Sequence, residues 1–350
     1  MVVRQESAST PRYPYLSVVI PVYRSEDCLI ALYDAIAEVM AQMDRAYEVI
    51  FINDFSPDQS WEVITSLCEV DPFVVGIDLR RNFGQDNAIL TGLRLAQGKY
   101  IAIMDDDLQH QPQFLPALLT EIEKGHDVVY ADFGTKQQRL WKNVGSWING
   151  KIAEWVLDKP RDLYISPYKV IRRDLAQLIC DYPGYAPYVD GLIFQATARI
   201  SSVRVSHHSR FEGKGNYTFA RSVGVSARLA FSFSARPLRL IGASGVLTAA
   251  LGLALALCVV LYRFLVPQNF TAEAVGWASL MVAILLATGL QMIFFGALAE
   301  YIGRSYLLIS RKPQTAIREI MNRESNEGRL LTSFSESYVD EVQDGPRVSL

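Results

Sequence analysis

Cysteine and histidine are scarce in this 350-residue chain, four of each. The cysteines at 28, 68, 180 and 258 form no CxxC pair and no ligand-spaced cluster with histidine, which argues against a disulfide framework or a zinc site and fits a reducing compartment. No sign of charge dominates. The 34 Lys and Arg against 37 Asp and Glu leave a net charge of −3, so no basic field points to nucleic acid. The N-terminal extension, 1–15, lacks the apolar run of a secretory signal and is expected to start in the cytosol. There is no GxGxxG after the first apolar run and no GxxxxGK[ST]. A bound phosphate therefore has to be met by metal and side chains, not by a glycine cradle.

Apolar residues make up 50% of the chain, and the mean hydropathy is +0.13. From 16 to 133 short apolar runs, LSVVIPVY, YEVIFIND, FVVGIDL, KYIAIMDDD and HDVVYADF, alternate with helical patterns such as AILTGLRLAQ. They predict buried parallel strands joined by helices in a doubly wound, mostly parallel α/β sheet. In such sheets ligands bind beyond the carboxyl ends of the strands. Asn53, Asp54, Asp105, Asp106 and Asp107 all fall at those ends.

The second half is different. Two uncharged apolar runs, 241–262 and 274–299, each exceed the roughly 20 residues needed to cross a bilayer. The loop between them holds only Arg263 and Glu273, whereas the flanks carry Arg221, Arg228, Arg236 and Arg239 before and Arg304, Arg311, Lys312 and Arg318 after. The positive-inside rule puts both ends in the cytoplasm. The stretch 217–240 reads as a juxtamembrane amphipathic helix. The stretch 137–157 reads equally as a helix lying on a membrane and as a domain-packing helix. The expected organisation is a catalytic domain over 16–216, the juxtamembrane helix, two spans, and a cytosolic tail over 300–350.

Asp105-Asp106-Asp107-Leu108-Gln109 is the sharpest chemical signal. Carboxylates at 105 and 107 suit a hard divalent cation, Mg²⁺ or Mn²⁺, which completes its shell with phosphate oxygens. The plainer reading is an acidic turn that solvates a strand end. Asp54 is placed to accept hydrogen bonds from a nucleotide's base or ribose. His207 and His208, adjacent on an expected strand, point to opposite faces and so do not act together, and His110 reads as a surface residue at a helix start.

At these residues the chain resembles the family-2 inverting glycosyltransferases, specifically those acting on polyisoprenyl phosphates. The resemblance spans about 16–312 and rests on VVIPVY at 18–23, NDFS at 53–56, RNFGQDNAI at 81–89, MDDDLQHQP at 104–112, RFEGKGNY at 210–217, PLR at 237–239 and EYIGR at 300–304. It implies that Pro21, Tyr23 and Asp54 hold base and ribose, with Arg81, Asn82 and Gly84 lining the same pocket. Asp105, Asp107 and Gln109 would bind Mg²⁺ or Mn²⁺ and the diphosphate, Asp162 would lie near sugar and acceptor, and Arg210 would hold the acceptor phosphate. The sequence departs from the family pattern at three places. Arg24-Ser25 stands where an Asn-Glu pair is usual, Asp54-Phe55 replaces an Asp-Gly turn, and Gly213-Lys214-Gly215-Asn216-Tyr217 replaces GxSKY. Lys214 or Arg221 would then substitute at the acceptor phosphate.

The resemblance implies transfer of a sugar from a nucleotide-sugar, favouring UDP, to polyprenyl phosphate at a bacterial inner membrane, by a homotetramer. The alternative is a family-2 enzyme with another lipid or a polysaccharide as acceptor. Two spans without intramembrane charge offer little polar path for a transporter, and the intact Asp105/Asp107 pair argues against a regulatory module that has lost catalysis.

Overall fold

The computed structural model describes residues 13–108, 111–134, 163–184, 187–205, 273–309 and 313–323, with a discontinuous set within 242–265. Eight strands form one sheet: β1 (Leu16–Val22), β2 (Tyr47–Asn53), β3 (Val74–Leu79), β4 (Tyr100–Ile103), β5 (Val128–Asp132), β6 (Lys169–Arg172), β7 (Ile200–Arg204) and β8 (Ile317–Met321). Their order across the sheet is β7-β5-β6-β4-β1-β2-β3-β8. The helices are α1 (Leu29–Met43), α2 (Ser60–Val70), α3 (Gln85–Leu95), α4 (Leu115–Ile122), α5 (Arg173–Cys180), α6 (Val189–Ala196) and α7 (Glu273–Ile309).

Every residue of β1, β2 and β3 is buried, as expected of central strands rich in Val and Ile and covered on both faces. The two-residue period of a strand sorts their side chains. Val18, Ile20 and Val22 pack on one face with Leu29, Leu32, Ile36 and Met40 of α1, whose spacing is that of one helix face. Val19, Ile50 and Ile52 pack on the other with Ile89, Leu90 and Leu93 of α3. Each such side chain contributes roughly 1.5–3 kcal/mol by leaving water. Helix α3 sits close against the sheet because residue 92 is glycine, where a Cβ would come 2.5 Å from Val19 Cγ1.

The five expected strands are present, and β1 to β4 pair in parallel as expected. The sheet is mostly parallel, as expected, and β5 keeps the direction of β1 to β4. That strand does not neighbour β4, because β6 lies antiparallel between them, and β7 joins β5 in parallel at the far edge. The 300–350 segment also differs from a simple tail. Helix α7 runs on to Ile309, and β8 closes the other edge antiparallel to β3. Gln314 Nε2 donates to the carbonyls of Tyr182 and Gly184 at 2.6 Å, and Arg323 pairs with the buried Glu48 at 3.1 Å, so 313–323 is fastened to the catalytic domain.

The spans expected at 241–262 and 274–299 are not shown by the fold. Among the described residues no helix is long and apolar enough to cross a membrane. Much of the first run lies outside the described residues, while the second lies within the 37 residues of α7. The segments 137–157 and 217–240 also lie outside them, as do His110, His207 and His208.

Candidate active site

The sheet reverses direction of winding at β1 and β4. The helix after β1 covers one face and the helix before β4 covers the other, so their carboxyl ends splay into a crevice, the usual ligand position in an open α/β sheet. Pairing between β1 and β4 stops at Val19 and Ile103. Pro21, which cannot donate to a ladder, lies beyond that last pair at the mouth of the crevice. A cavity of about 330 Å³ opens there.

Three loops supply its walls. After β1, Tyr23 lies at the rim, half exposed. After β2, Asp54 is buried at 4% exposure, its Oδ1 accepting from Phe83 N at 2.7 Å and its Oδ2 from Gly84 N at 2.8 Å. Burial raises the Asp54 pKa, and those two N–H groups oppose the rise. Asn82 Nδ2 donates to the Asp54 carbonyl at 3.2 Å, which closes the link between this turn and the start of α3. Gly84 precedes that helix at φ 90° and ψ 155°, a conformation open essentially to glycine alone.

After β4 come the three aspartates, and they are not equivalent. Asp106 Oδ2 accepts from Tyr23 N at 3.0 Å and from Ser25 Oγ at 2.5 Å, so it ties the β4 loop to the β1 loop. Asp105 Oδ1 accepts from Gln85 Nε2 at 2.7 Å. Burial pushes the Asp105 carboxyl up to about 6, with Asp107 and Asp106 adding to the rise, while Lys169 and Gln85 oppose it. Lys169 stands opposite Ile103 in register and is buried in an ion pair with Asp190, which also accepts from Tyr130 OH at 2.9 Å. Asp107 is exposed at the crevice.

Residues in the left-handed region follow all three strands: Arg24 at φ 61°, Phe55 at 55° and Leu108 at 57°. Non-glycine residues there carry strain that neighbouring structure must offset, and such positions cluster at functional sites. Arg24 N donates to Ser56 Oγ at 2.7 Å and Ser25 N to Ser60 Oγ at 3.2 Å, so the departures at 24 and 25 are held by the β2 loop and the start of α2.

Two carboxylates of different exposure at one rim, beside a crevice sized for a nucleotide fragment, suit a divalent cation that takes its remaining ligands from phosphate. Among the described residues no group of three or more His, Cys, Asp or Glu gathers to hold a metal without such help. The structure brings together Pro21, Tyr23, Asp54, Asn82, Gly84, Asp105 and Asp107. Arg81 is not part of that lining, and its guanidinium lies 4.6 Å from the centre of the Phe83 ring. Gln109, Asp162, Arg210, Lys214 and Arg221 lie outside the described residues. Sequence reading missed Gln85 and the tying role of Asp106. Gln85 is inside the quoted RNFGQDNAI motif, and its place as first residue of a helix aimed at the acidic loop was the available signal.

A switch-point crevice walled by carboxylates from the ends of β2 and β4, with no glycine-rich phosphate cradle, has the layout of a glycosyltransferase. The family described as "Glycosyl transferase family 2" matches residues 17–180. An uncharacterized glycosyltransferase of Bacillus subtilis (strain 168) is 30% identical over 84% of this chain and 90% of its own. The undecaprenyl-phosphate 4-deoxy-4-formamido-L-arabinose transferase of Yersinia pestis (strain Pestoides F) is 27% identical over 89% of this chain and 95% of its own. Among solved structures, glucosyl-3-phosphoglycerate synthase from Mycobacterium tuberculosis, in complex with Mn²⁺, UDP-glucose and phosphoglyceric acid, covers 64% of this chain and 79% of its own at 18% identity and a TM-score of 0.43. That likeness is too distant to carry an inference about ligands. The chain belongs to glycosyl transferase family 2 and is a glycosyltransferase.

Proposed function

We propose that this glycosyltransferase moves a sugar from a nucleotide-sugar, UDP-linked, to a polyprenyl phosphate, undecaprenyl phosphate, with inversion at the sugar. The observation that carries the reading is the convergence of Asp54, Asp105 and Asp107 on one crevice. Full-length similarity to enzymes named for transfer to undecaprenyl phosphate supports the acceptor.

Asp54 and the turn it pins, Asn82 to Gly84, form the end of the crevice suited to a base and ribose. Asp105, Asp107 and Gln109 would hold Mg²⁺ or Mn²⁺ beside the diphosphate. Such an ion supplies Lewis-acid stabilisation of the departing nucleoside diphosphate. Gln85 and Lys169 favour the ionised form of Asp105, which is the form that binds a cation. The acceptor phosphate is already anionic at neutral pH, so its oxygen attacks the anomeric carbon without needing a strong base. Positioning then supplies most of the rate. Arg210 is assigned to clamp that phosphate, with Lys214 or Arg221 substituting for the family's loop Ser and Lys, and Asp162 to orient acceptor or sugar.

The enzyme is read as a multi-pass protein of the bacterial inner membrane, with spans at 241–262 and 274–299 and with the catalytic domain and both termini cytoplasmic. The charge asymmetry of the flanks supports this. Assembly as a homotetramer rests on the resemblance alone. Titration of the detergent-solubilised full chain with UDP and with GDP, each with and without Mn²⁺, tests the donor side. Metal-dependent UDP binding is expected, and absence of binding to either nucleotide would contradict the reading.

A further inference from the structure

Strand β8 carries a bulge. Asp78 pairs with Glu319 but Leu79 pairs with Ile317, so Arg318 is the extra residue. Bulges re-aim side chains and recur beside active sites. Here the guanidinium comes 3.1 Å from Asp78 Oδ2 and 5.4 Å from the centre of the Phe55 ring. The first approach has the distance of an ion pair, without the angle of a hydrogen bond to that oxygen. Asp78 is 1% exposed, so its charge depends on a partner close at hand. Its Oδ1 accepts from Asn53 Nδ2 at 2.7 Å, and Asn53 Oδ1 accepts from Ser56 N at 3.2 Å.

Both ends of the turn that carries Asp54 are therefore tied, through the Asn53 amide, to Asp78 of β3, and its middle residue, Phe55, is strained at φ 55° where glycine would be at ease. We propose that Arg318, delivered by the C-terminal strand, is a positioning residue for the donor pocket: it braces the Phe55 turn through its ring contact and the Asp78–Asn53 link, and so sets the aim of Asp54. The inference rests on the reading of Asp54 as part of the nucleotide pocket. It also gives the C-terminal strand a role beyond closing the sheet, since the donor pocket is complete only when a segment more than two hundred residues downstream has docked.

The test is a double-mutant cycle on the full-length protein, read by UDP binding in the presence of Mn²⁺ and by steady-state kinetics. Arg318→Ala is expected to raise the UDP Kd and the donor KM about tenfold, with kcat and acceptor KM within about twofold. Arg318→Lys keeps a charge for Asp78 but loses the planar contact, and should fall between the two. It carries the test if the alanine variant fails to fold. In a Phe55→Gly background the turn no longer opposes its own conformation, so the same Arg318→Ala change should cost less than about threefold. An unchanged Kd in Arg318→Ala overturns the proposal. So does an equal penalty in both backgrounds, because the effect of Arg318 would then not pass through the Phe55 turn. A wild-type protein that binds no nucleotide overturns the donor-site reading with it, which distinguishes the two failures.

Discussion

Gln85 Nε2 donates to Asp105 Oδ1 across 2.7 Å, joining the first residue of α3 to the first carboxylate after β4. That bond favours the ionised carboxylate in a setting where burial and two neighbouring aspartates oppose ionisation. Gln85→Ala should therefore raise the Asp105 pKa above about 6 and weaken Mn²⁺-dependent UDP binding most at pH 6–7. At pH 8 most of the loss should disappear, because the carboxyl is ionised with or without the amide. Binding titrations across that range check it, and a pH-independent loss would mean that Gln85 contacts the ligand directly.

Asp105 also sets a stability balance. Its carboxyl is raised from an ordinary value of 3.8 to about 6, so the fold favours the protonated form. The associated stability is complete below pH 3.8 and is lost as pH rises through 6. At pH 7.5, without metal, the ionised site costs roughly 1–3 kcal/mol. Asp105→Asn should accordingly melt higher than wild type in EDTA at pH 7.5, match it near pH 4, and lose transfer activity. A variant that melts lower at pH 7.5 would contradict the assignment.

Asp54 holds two backbone N–H groups, from Phe83 and Gly84. Asp54→Ala leaves both without that acceptor, a loss of about 1–3 kcal/mol in stability. UDP affinity should fall at least about tenfold, since the pocket wall loses the residue that shapes it. Thermal melts and UDP titration separate the two effects, and near-normal affinity would move the base site elsewhere.

Much of this arrangement is legible in the sequence. Strands β1 to β4 were readable because each is a short, mostly apolar run buried on both faces, and their acidic ends were readable because polar residues at such ends mark a crevice. The edge strands were not. ISSVR of β7 and IREIM of β8 are half exposed and mixed in polarity, so neither carries a central-strand pattern. KVIR of β6 begins with a lysine whose burial depends on Asp190, and sequence offers no sign of that pairing. Within the acidic triplet, spacing could nominate Asp105 and Asp107 but could not reveal that Asp106 is engaged by Tyr23 and Ser25. Those residues approach only when β1 and β4 lie side by side. The contact of Phe55 with Arg318 is further still from sequence, since it joins positions brought together only by β8.

The membrane reading makes its own prediction. In a chain with its native cysteines replaced, Gln268→Cys should react with an impermeant thiol reagent added from the non-cytoplasmic side only. Reaction from the cytoplasmic side alone would place the 241–299 region as a re-entrant or buried hairpin instead of two spans.

Asp107 is the exposed carboxylate of the pair assigned to the cation, and Asp107→Asn keeps its shape while removing its charge. The full-length enzyme and this variant, matched for folding and membrane extraction, should be incubated with Mn²⁺, undecaprenyl phosphate and a panel of UDP- and GDP-sugars, and the lipid products identified by mass spectrometry. The wild type is predicted to form one undecaprenyl-phosphate sugar from a UDP donor, and the variant to be slower by on the order of 100-fold or more. No lipid-linked product from any donor, or a variant as active as wild type with an unchanged metal requirement, would contradict the account.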